Sequence, residues 1–479
     1  MMKYKILIFL GVLVFMVSPL FVSAKYLEKN LEKINAVGEN ISNEGVSLLV
    51  DNNEVVVFKL DLADENNYIT MIKYDDKGNA TEKENALNFK VNSLEKVIKS
   101  KDGYVVIGNS VVDEDMQYGI VMWFDNTGAF VTQRKFNDAT LYITFSDIIM
   151  ANDGYLVVGY SVNPSAGGEL QGVLIKYDFS GNIVSRVNKN LAGTTKFLKI
   201  LEISNNHYVI GGELAGNIIL YEYENNKKEL NLISKKLNDG IFKDMIYTSD
   251  NCFLVISKSN LQNINYIYKI DKDDNVIWQK SIENEELLYE NVFEYNNEYY
   301  VFAVNQNKLG DVFNYNIIKY DNSGNLVYDE LIDRKDNNYI DKFILNKNNF
   351  FAFGKEFNED NTNNWFARYT ILNEYKITIN NKSANLTTSK SYVQGEQINL
   401  KELLGNYNEI SITDEAGNKI NFEDGILVMP GCNIIITITT EITQNPHTGN
   451  IISIIVAIVG VIGAIGILGY TKNRNKFIK

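Results

Sequence analysis

The 479-residue sequence predicts an all-β protein built from seven copies of one four-stranded unit, followed by a smaller β module. Three observations predict it. One line is written twice, DGYVVIG at 102–108 and DGYLVVG at 153–159, and with Tyr155 as anchor its equivalents fall at Val55, Tyr104, Tyr208, Phe253, Tyr299 and Phe350. A second line recurs out of phase with the first: IKYDDKGN at 72–79, MWFDNTGA at 122–129, IKYDFSGN at 175–182, YKIDKDDN at 268–275 and IKYDNSGN at 318–325, with a degraded copy, LYEYENNK, at 220–227. Each unit also resolves into four short runs rich in β-branched and aromatic residues, separated by Asn, Asp and Gly turns. In the third unit the runs are 145–150, 155–160, 172–177 and 182–187. Four antiparallel strands per repeat describe one blade of a β-propeller, and seven anchors make seven blades.

Taken in chain order, residues 1–24 carry Lys3 and Lys5, an apolar run, and then Val22-Ser23-Ala24. That is the form of a signal peptide cleaved after Ala24. The propeller is expected over 25–372. Its seventh unit supplies three runs, 340–345, 350–354 and 365–370, and no fourth, while residues 26–37 stand unused ahead of the first blade. A ring must close or leave an open edge, so 26–37 is expected to provide the outer strand of the last blade.

Residues 373–443 lose the repeat and read as a small β module, with YKITINN at 375–381, ISITDEAGNKINF at 410–422 and DGILVMPGCNIIITIT at 424–439. It resembles the small Ig-like or β-grasp-like modules of Gram-positive surface proteins, in which a Met-Pro such as Met429-Pro430 precedes the final strand. Between propeller and tail such a module serves as a stalk.

The pentapeptide Asn445-Pro446-His447-Thr448-Gly449 then precedes an uncharged apolar stretch, 451–470, long enough to cross a bilayer as a helix, and a basic tail, 471–479. This triplet resembles the sorting signal of Gram-positive surface proteins, whose LPxTG-type motif a sortase cuts between Thr and Gly. The resemblance implies Asn445, Pro446, Thr448 and Gly449 as the signal, sortase and peptidoglycan as partners, and display at the cell wall or cell surface after a membrane-spanning stage. Asn445 departs from the commonest motif, which has Leu there. The repeat lines likewise resemble a degenerate secreted repeat of bacterial extracellular propellers, through DGY, IKYD and SGN or KGN.

Charge and composition remove several function classes. The chain carries a formal net charge of −14, and loss of both ends, which hold six basic and no acidic residues, moves it to −20. Such a surface repels nucleic acid and anionic membranes. Cys252 and Cys432 stand in different domains and flank no metal-ligand spacing. Only His207 and His447 are present, which leaves Ser-His-Asp and Cys-His chemistry almost nothing to draw on. Asp75, Asp125, Asp178, Asp271 and Asp321 open turns too poor in acids for a calcium site, and are expected to cap their own backbone. A sialidase-type arginine cluster would have to come from Arg134, Arg186, Arg334 and Arg368, two of which lie in repeat strands. No metal and no cofactor is expected.

The leading function is therefore a surface-displayed binding or adhesion module with an extracellular protein or glycan ligand. A wall-bound glycan hydrolase and a structural spacer are the alternatives, the first requiring a convergent carboxylate pair in the central pocket. The loops between first and second strands, and between third and fourth, are uniformly short. Those between second and third strands vary: 111–119, 162–172, 304–314 and 355–364. They share one face of the disc with the links between blades, which makes Asp113, Glu114, Asp115, Tyr118, Asp311, Phe313, Glu359 and Asp360 candidate ligand contacts. Their acidity suits a cationic or polyhydroxylated partner.

Overall fold

The computed structural model describes residues 26–441, except 36–41, 63–66, 113–115, 137–141, 163–167, 190–192, 226, 228, 261, 307–311, 333, 335, 358–361, 383–384 and 406. They form two compact units, one of residues 29–370 and one of residues 26–28 with 371–441.

The larger unit is a ring of seven four-stranded sheets. In six of them the strands pair in chain order as successive antiparallel hairpins. The seventh has the order Leu27–Asn35, Thr362–Ile371, Asn349–Phe357, Asn338–Asn346, so the N-terminal segment supplies its outer strand. The reason is edge chemistry: the last unit has only three strands of its own, and pairing with a strand from the other end of the chain satisfies an otherwise open ladder.

The core lies between blades, because the period-2 pattern of each strand points apolar side chains at both neighbouring sheets. One cluster joins Phe58 and Met71 of the first blade to Tyr104 and Val106 of the second. Another joins Val158 of the third to Phe197 and Ile200 of the fourth. The sixth and seventh blades meet where Phe302 stacks on Phe343 at 4.6 Å. The ring closes where Phe366 of the seventh stacks on Tyr74 of the first, 4.0 Å apart and within 7° of parallel.

The repeated lines now have physical causes. In DGYLVVG, Gly154 adopts φ 151°, and a Cβ there would stand 1.9 Å from the Tyr177 carbonyl oxygen. Gly159 pairs with Phe145 beside a β-bulge in the first strand, and a Cβ would meet the Thr144 oxygen at 2.0 Å. In IKYDFSGN, Asp178 Oδ1 accepts the Asn182 amide at 2.8 Å while Asn182 Nδ2 donates to Asp178 Oδ2 at 2.9 Å. Asp75, Asp271 and Asp321 repeat both bonds with Asn79, Asn275 and Asn325, and Asp125 Oδ1 accepts the amides of Thr127 and Ala129. These aspartates are turn caps. In three blades the Lys of the same line reaches the next blade: Lys73 Nζ donates to the Asn126 oxygen at 2.8 Å, Lys176 to Asn225 Oδ1 at 2.9 Å, and Lys269 to Asn322 Oδ1.

The smaller unit holds a four-stranded sheet in the order Leu386–Val393, Glu374–Asn381, Ile434–Glu441, Tyr407–Asp414. Its central pair is parallel, with Ile377 opposite Ile434, and the flanking pairs are antiparallel. A short helix, Leu400–Leu404, lies between the second and third strands, capped by Asn399 Oδ1 on the Lys401 and Glu402 amides. Ile377, Leu400, Leu427, Met429 and Ile436 pack its core. Parallel central strands and an intervening helix make the module β-grasp-like. The Ig-like alternative, which needs two packed antiparallel sheets, does not fit.

Candidate functional site

The first strands of the blades run next to the propeller axis, each touching the first strands of its neighbours. Read in register, they share one irregularity. In six blades the ladder to the second strand shifts at the same place: Leu94/Lys96, Phe145/Asp147, Phe197/Lys199, Phe242/Asp244, Tyr289/Asn291 and Ile340/Lys342. In the first blade the shift lies nearer the strand start, at Asn43/Gly45, and Ser47 occupies the corresponding ladder position. A bulge inserts one residue and re-aims the side chains around it, so each of the six blades presents two consecutive residues here.

These residues build a polar girdle of neighbouring blades. Lys96 Nζ lies 2.5 Å from Asp147 Oδ1, and Asp147 Oδ2 accepts the Ile200 amide of the next blade at 2.9 Å. Lys199 Nζ lies 2.8 Å from Asp244 Oδ1, and Asp244 Oδ2 accepts the Val292 amide at 3.2 Å. Lys243 reaches Glu290 at 2.8 Å, and Ser47 Oγ accepts the Val97 amide at 2.8 Å. Burial works against the Lys199 ammonium, but Asp244 and Asp147 on either side outweigh it and hold its pKa above the ordinary lysine value.

The seventh blade differs. Among the described residues, Asp341, the first of its two bulge residues, has its ion pair with Lys355 of its own blade, at 3.9 Å, and the Asp341 side chain is 27% exposed. Desolvation of the Asp341 carboxyl pushes its pKa up, more than Lys355 and Lys342 lower it.

Of the residues chosen from sequence, Asp113, Glu114, Asp115, Asp311, Glu359 and Asp360 lie outside the described residues, as do Ala24, Asn445, Pro446, Thr448, Gly449 and the apolar stretch 451–470. No helix among the described residues is long and apolar enough to cross a membrane. Phe313 lies in the strand Val312–Tyr320. Tyr118 is corrected: it is buried, its hydroxyl accepts from Lys135 Nζ at 3.3 Å, and the same ammonium sits 5.0 Å over its ring. It packs against its own blade rather than standing ready for a partner. The four arginines lie apart, Arg134 and Arg186 on the outer strands of the second and third blades, Arg334 before the seventh blade and Arg368 in its third strand.

The girdle was missed because a charge inside an apolar run reads as an interruption of a strand. Its signal is nevertheless in the alignment of the repeats, where LEKVI, FSDII, FLKIL, FKDMI, YENVF and IDKFI place a polar or charged residue in the third column of all six and in the second column of all but FLKIL, which has Leu198 there.

These features define the class: a closed seven-bladed β-propeller with an ion-paired axial girdle, carried with a β-grasp-like module. No family model matches the chain, and no curated protein matches it. Among solved structures it is similar to the Dos1 propeller (TM-score 0.46, 11% identity, 72% of this chain and 95% of that one). It is also similar to the periplasmic gluconolactonase of Pseudomonas aeruginosa (0.44, 12%, 60% and 84%) and to the β-propeller domain of the Trilobed protease of Pyrococcus furiosus (0.43, 12%, 70% and 96%). The fold assignment here rests on the seven sheets themselves.

Proposed function

We propose that this chain is a cell-wall-anchored surface protein whose propeller is a binding module for an extracellular ligand. The observation that carries the reading is where loop length varies. Connections between second and third strands run from two residues, 215–216, to seven, 163–169, whereas those between third and fourth strands hold four or five in six blades. Scaffold turns are held to one length by their geometry, and loops that meet partners are not. The girdle favours binding over hydrolysis, because Asp147, Asp244 and Glu290 are each tied to a lysine rather than to a second carboxylate. The order of NPHTG, apolar stretch and basic tail supports the wall anchor.

Fractionation of cells expressing the full chain tests the anchor. Thr448→Ala is expected to move the protein from the wall fraction to the detergent-soluble membrane fraction. Wild-type protein released by detergent alone refutes sortase attachment.

A further inference from the structure

The seventh blade is where the propeller hands the chain on to the module. Its third strand, Thr362–Ile371, is followed by Leu372 and Asn373 and then by the module's first strand, Glu374–Asn381. In the other six blades the third strand turns into a fourth strand of its own. Here the fourth place belongs to Leu27–Asn35, so Thr362–Ile371 lies between the N-terminal strand and Asn349–Phe357.

Register sets the direction of each strand. Third strands run from the face of the variable loops to the face of the short turns, and Tyr369 pairs with Phe350 as Tyr320, just ahead of the Asp321 turn, pairs with Tyr299. The chain therefore leaves the propeller at the short-turn face. Leu27–Asn35 starts from that same face and runs antiparallel to it, since the Leu372 amide donates to the Tyr26 oxygen at 2.8 Å while Glu32, farther along, accepts from Trp365. Side chains bind the exit strand on both flanks. Arg368 Nε donates to Asn30 Oδ1 at 2.9 Å, Asn30 Nδ2 to Thr370 Oγ1 at 2.5 Å, and Thr370 Oγ1 to Asn349 Oδ1 at 2.7 Å. Arg368 Nη1 also reaches the first blade, donating to the Asp76 carbonyl oxygen at 3.1 Å.

We infer that this blade is a force clamp. When the anchored chain is pulled against a ligand held on the variable-loop face, tension runs along Thr362–Ile371, and its two neighbours hold that strand in shear. Ladder hydrogen bonds lie across a strand, so a pull along it loads the bonds on both flanks together. A pull that parts Leu27–Asn35 from it at their shared end opens the bonds one after another. The clamp rests on the reading of an anchored binding module and adds how such a module withstands tension.

Single-molecule pulling on the full chain tests it, with Cys252 and Cys432 replaced by Ala. One attachment is the C-terminus; the other is either the N-terminus or Ala215→Cys, in the exposed turn between the second and third strands of the fourth blade. The module lies in series in both geometries, so its own rupture is common to them. Propeller rupture is expected at severalfold higher force from residue 215 than from the N-terminus. Asn88→Cys, in the exposed link before the second blade, supplies the same geometry from a second site. Asn30→Ala, which loses the bonds to Arg368 and Thr370, is expected to speed that rupture about tenfold or more at fixed force. Asn182→Ala, a comparable loss in a turn of the third blade, is expected to leave it as it was. Equal rupture forces in the two directions overturn the clamp, and so does an Asn30→Ala protein that ruptures at the wild-type rate. Release of wild-type protein by detergent alone removes the anchor and leaves these forces unchanged, so the two failures are distinguishable.

Discussion

Replacing Glu32 by Ala tests how the ring closes. Glu32 sits on the N-terminal strand Leu27–Asn35, far in sequence from the blade it completes. Its Oε1 accepts the indole N–H of Trp365 at 2.8 Å and Nδ2 of Asn338 at 3.2 Å. Both partners are fully buried, at 0% exposure, one in the third strand of the seventh blade and one in its innermost strand. Truncation to Ala removes the acceptor and leaves two buried donors without it. Each orphaned donor costs about 1–3 kcal/mol, so Glu32→Ala is expected to lose roughly 2–6 kcal/mol. Glu32→Gln keeps a carbonyl acceptor in place, exchanging a charge-assisted bond for a neutral one, and is expected to lose no more than about 1.5 kcal/mol. Equilibrium urea unfolding followed by tryptophan fluorescence reads both, since Trp365 is one of only three tryptophans. Deletion of residues 27–35 sets the upper limit, because it also exposes the edge of Thr362–Ile371. A Glu32→Ala protein within about 0.5 kcal/mol of wild type refutes the argument, the limit being the usual size of a neutral surface change. Equal losses for Ala and Gln would mean that charge, not the acceptor, holds the strand.

Two further outcomes follow from the same structure. Asp147→Ala leaves the buried Ile200 amide unbonded and the half-exposed Lys96 without this partner, and is expected to cost about 1–3 kcal/mol in urea unfolding; a loss below about 0.5 kcal/mol would reduce the contact to a surface ion pair. For the turn caps the sign of the pH dependence is set by their lowered pKa values: the Asn182 side chain and backbone amides hold the Asp178 carboxyl below the ordinary range, so its stabilisation is full above about pH 3.9 and fades as pH falls through the lower folded value. The gap in melting temperature between wild type and Asp178→Ala should therefore narrow as pH falls below about 3.9, and a constant gap there would refute the cap.

Much of the fold was legible because it is local. The turn chemistry of IKYDFSGN, the glycines of DGYLVVG and the four-run pattern are each determined within a dozen residues, and their recurrence counts the blades. Even the closing strand could be inferred, since the last unit lacks one run and the N-terminal segment has one to spare. The candidate site was less legible. Tyr118 was chosen for its place next to a variable loop, but whether a strand-end tyrosine faces solvent depends on a lysine, Lys135, that reaches it only across the hairpin.

By itself, then, the sequence determined the strands, the turns, the number of blades and the segment that closes them, because short-range backbone preferences and period-2 patterning suffice for these. Tertiary structure alone decided two things. Whether the module is β-grasp-like or Ig-like turned on the parallel pairing of Glu374–Asn381 with Ile434–Glu441, strands separated by more than fifty residues, whose alternating patterns suit either pairing. The meaning of the charges in the innermost strands turned on the bulges, since a shift of one residue changes which face a side chain takes. Lys96, Asp147, Lys199 and Asp244 became an ion-paired girdle only because the ring sets the bulge of one blade against that of the next, whereas in the seventh blade Asp341 pairs with Lys355 of its own blade.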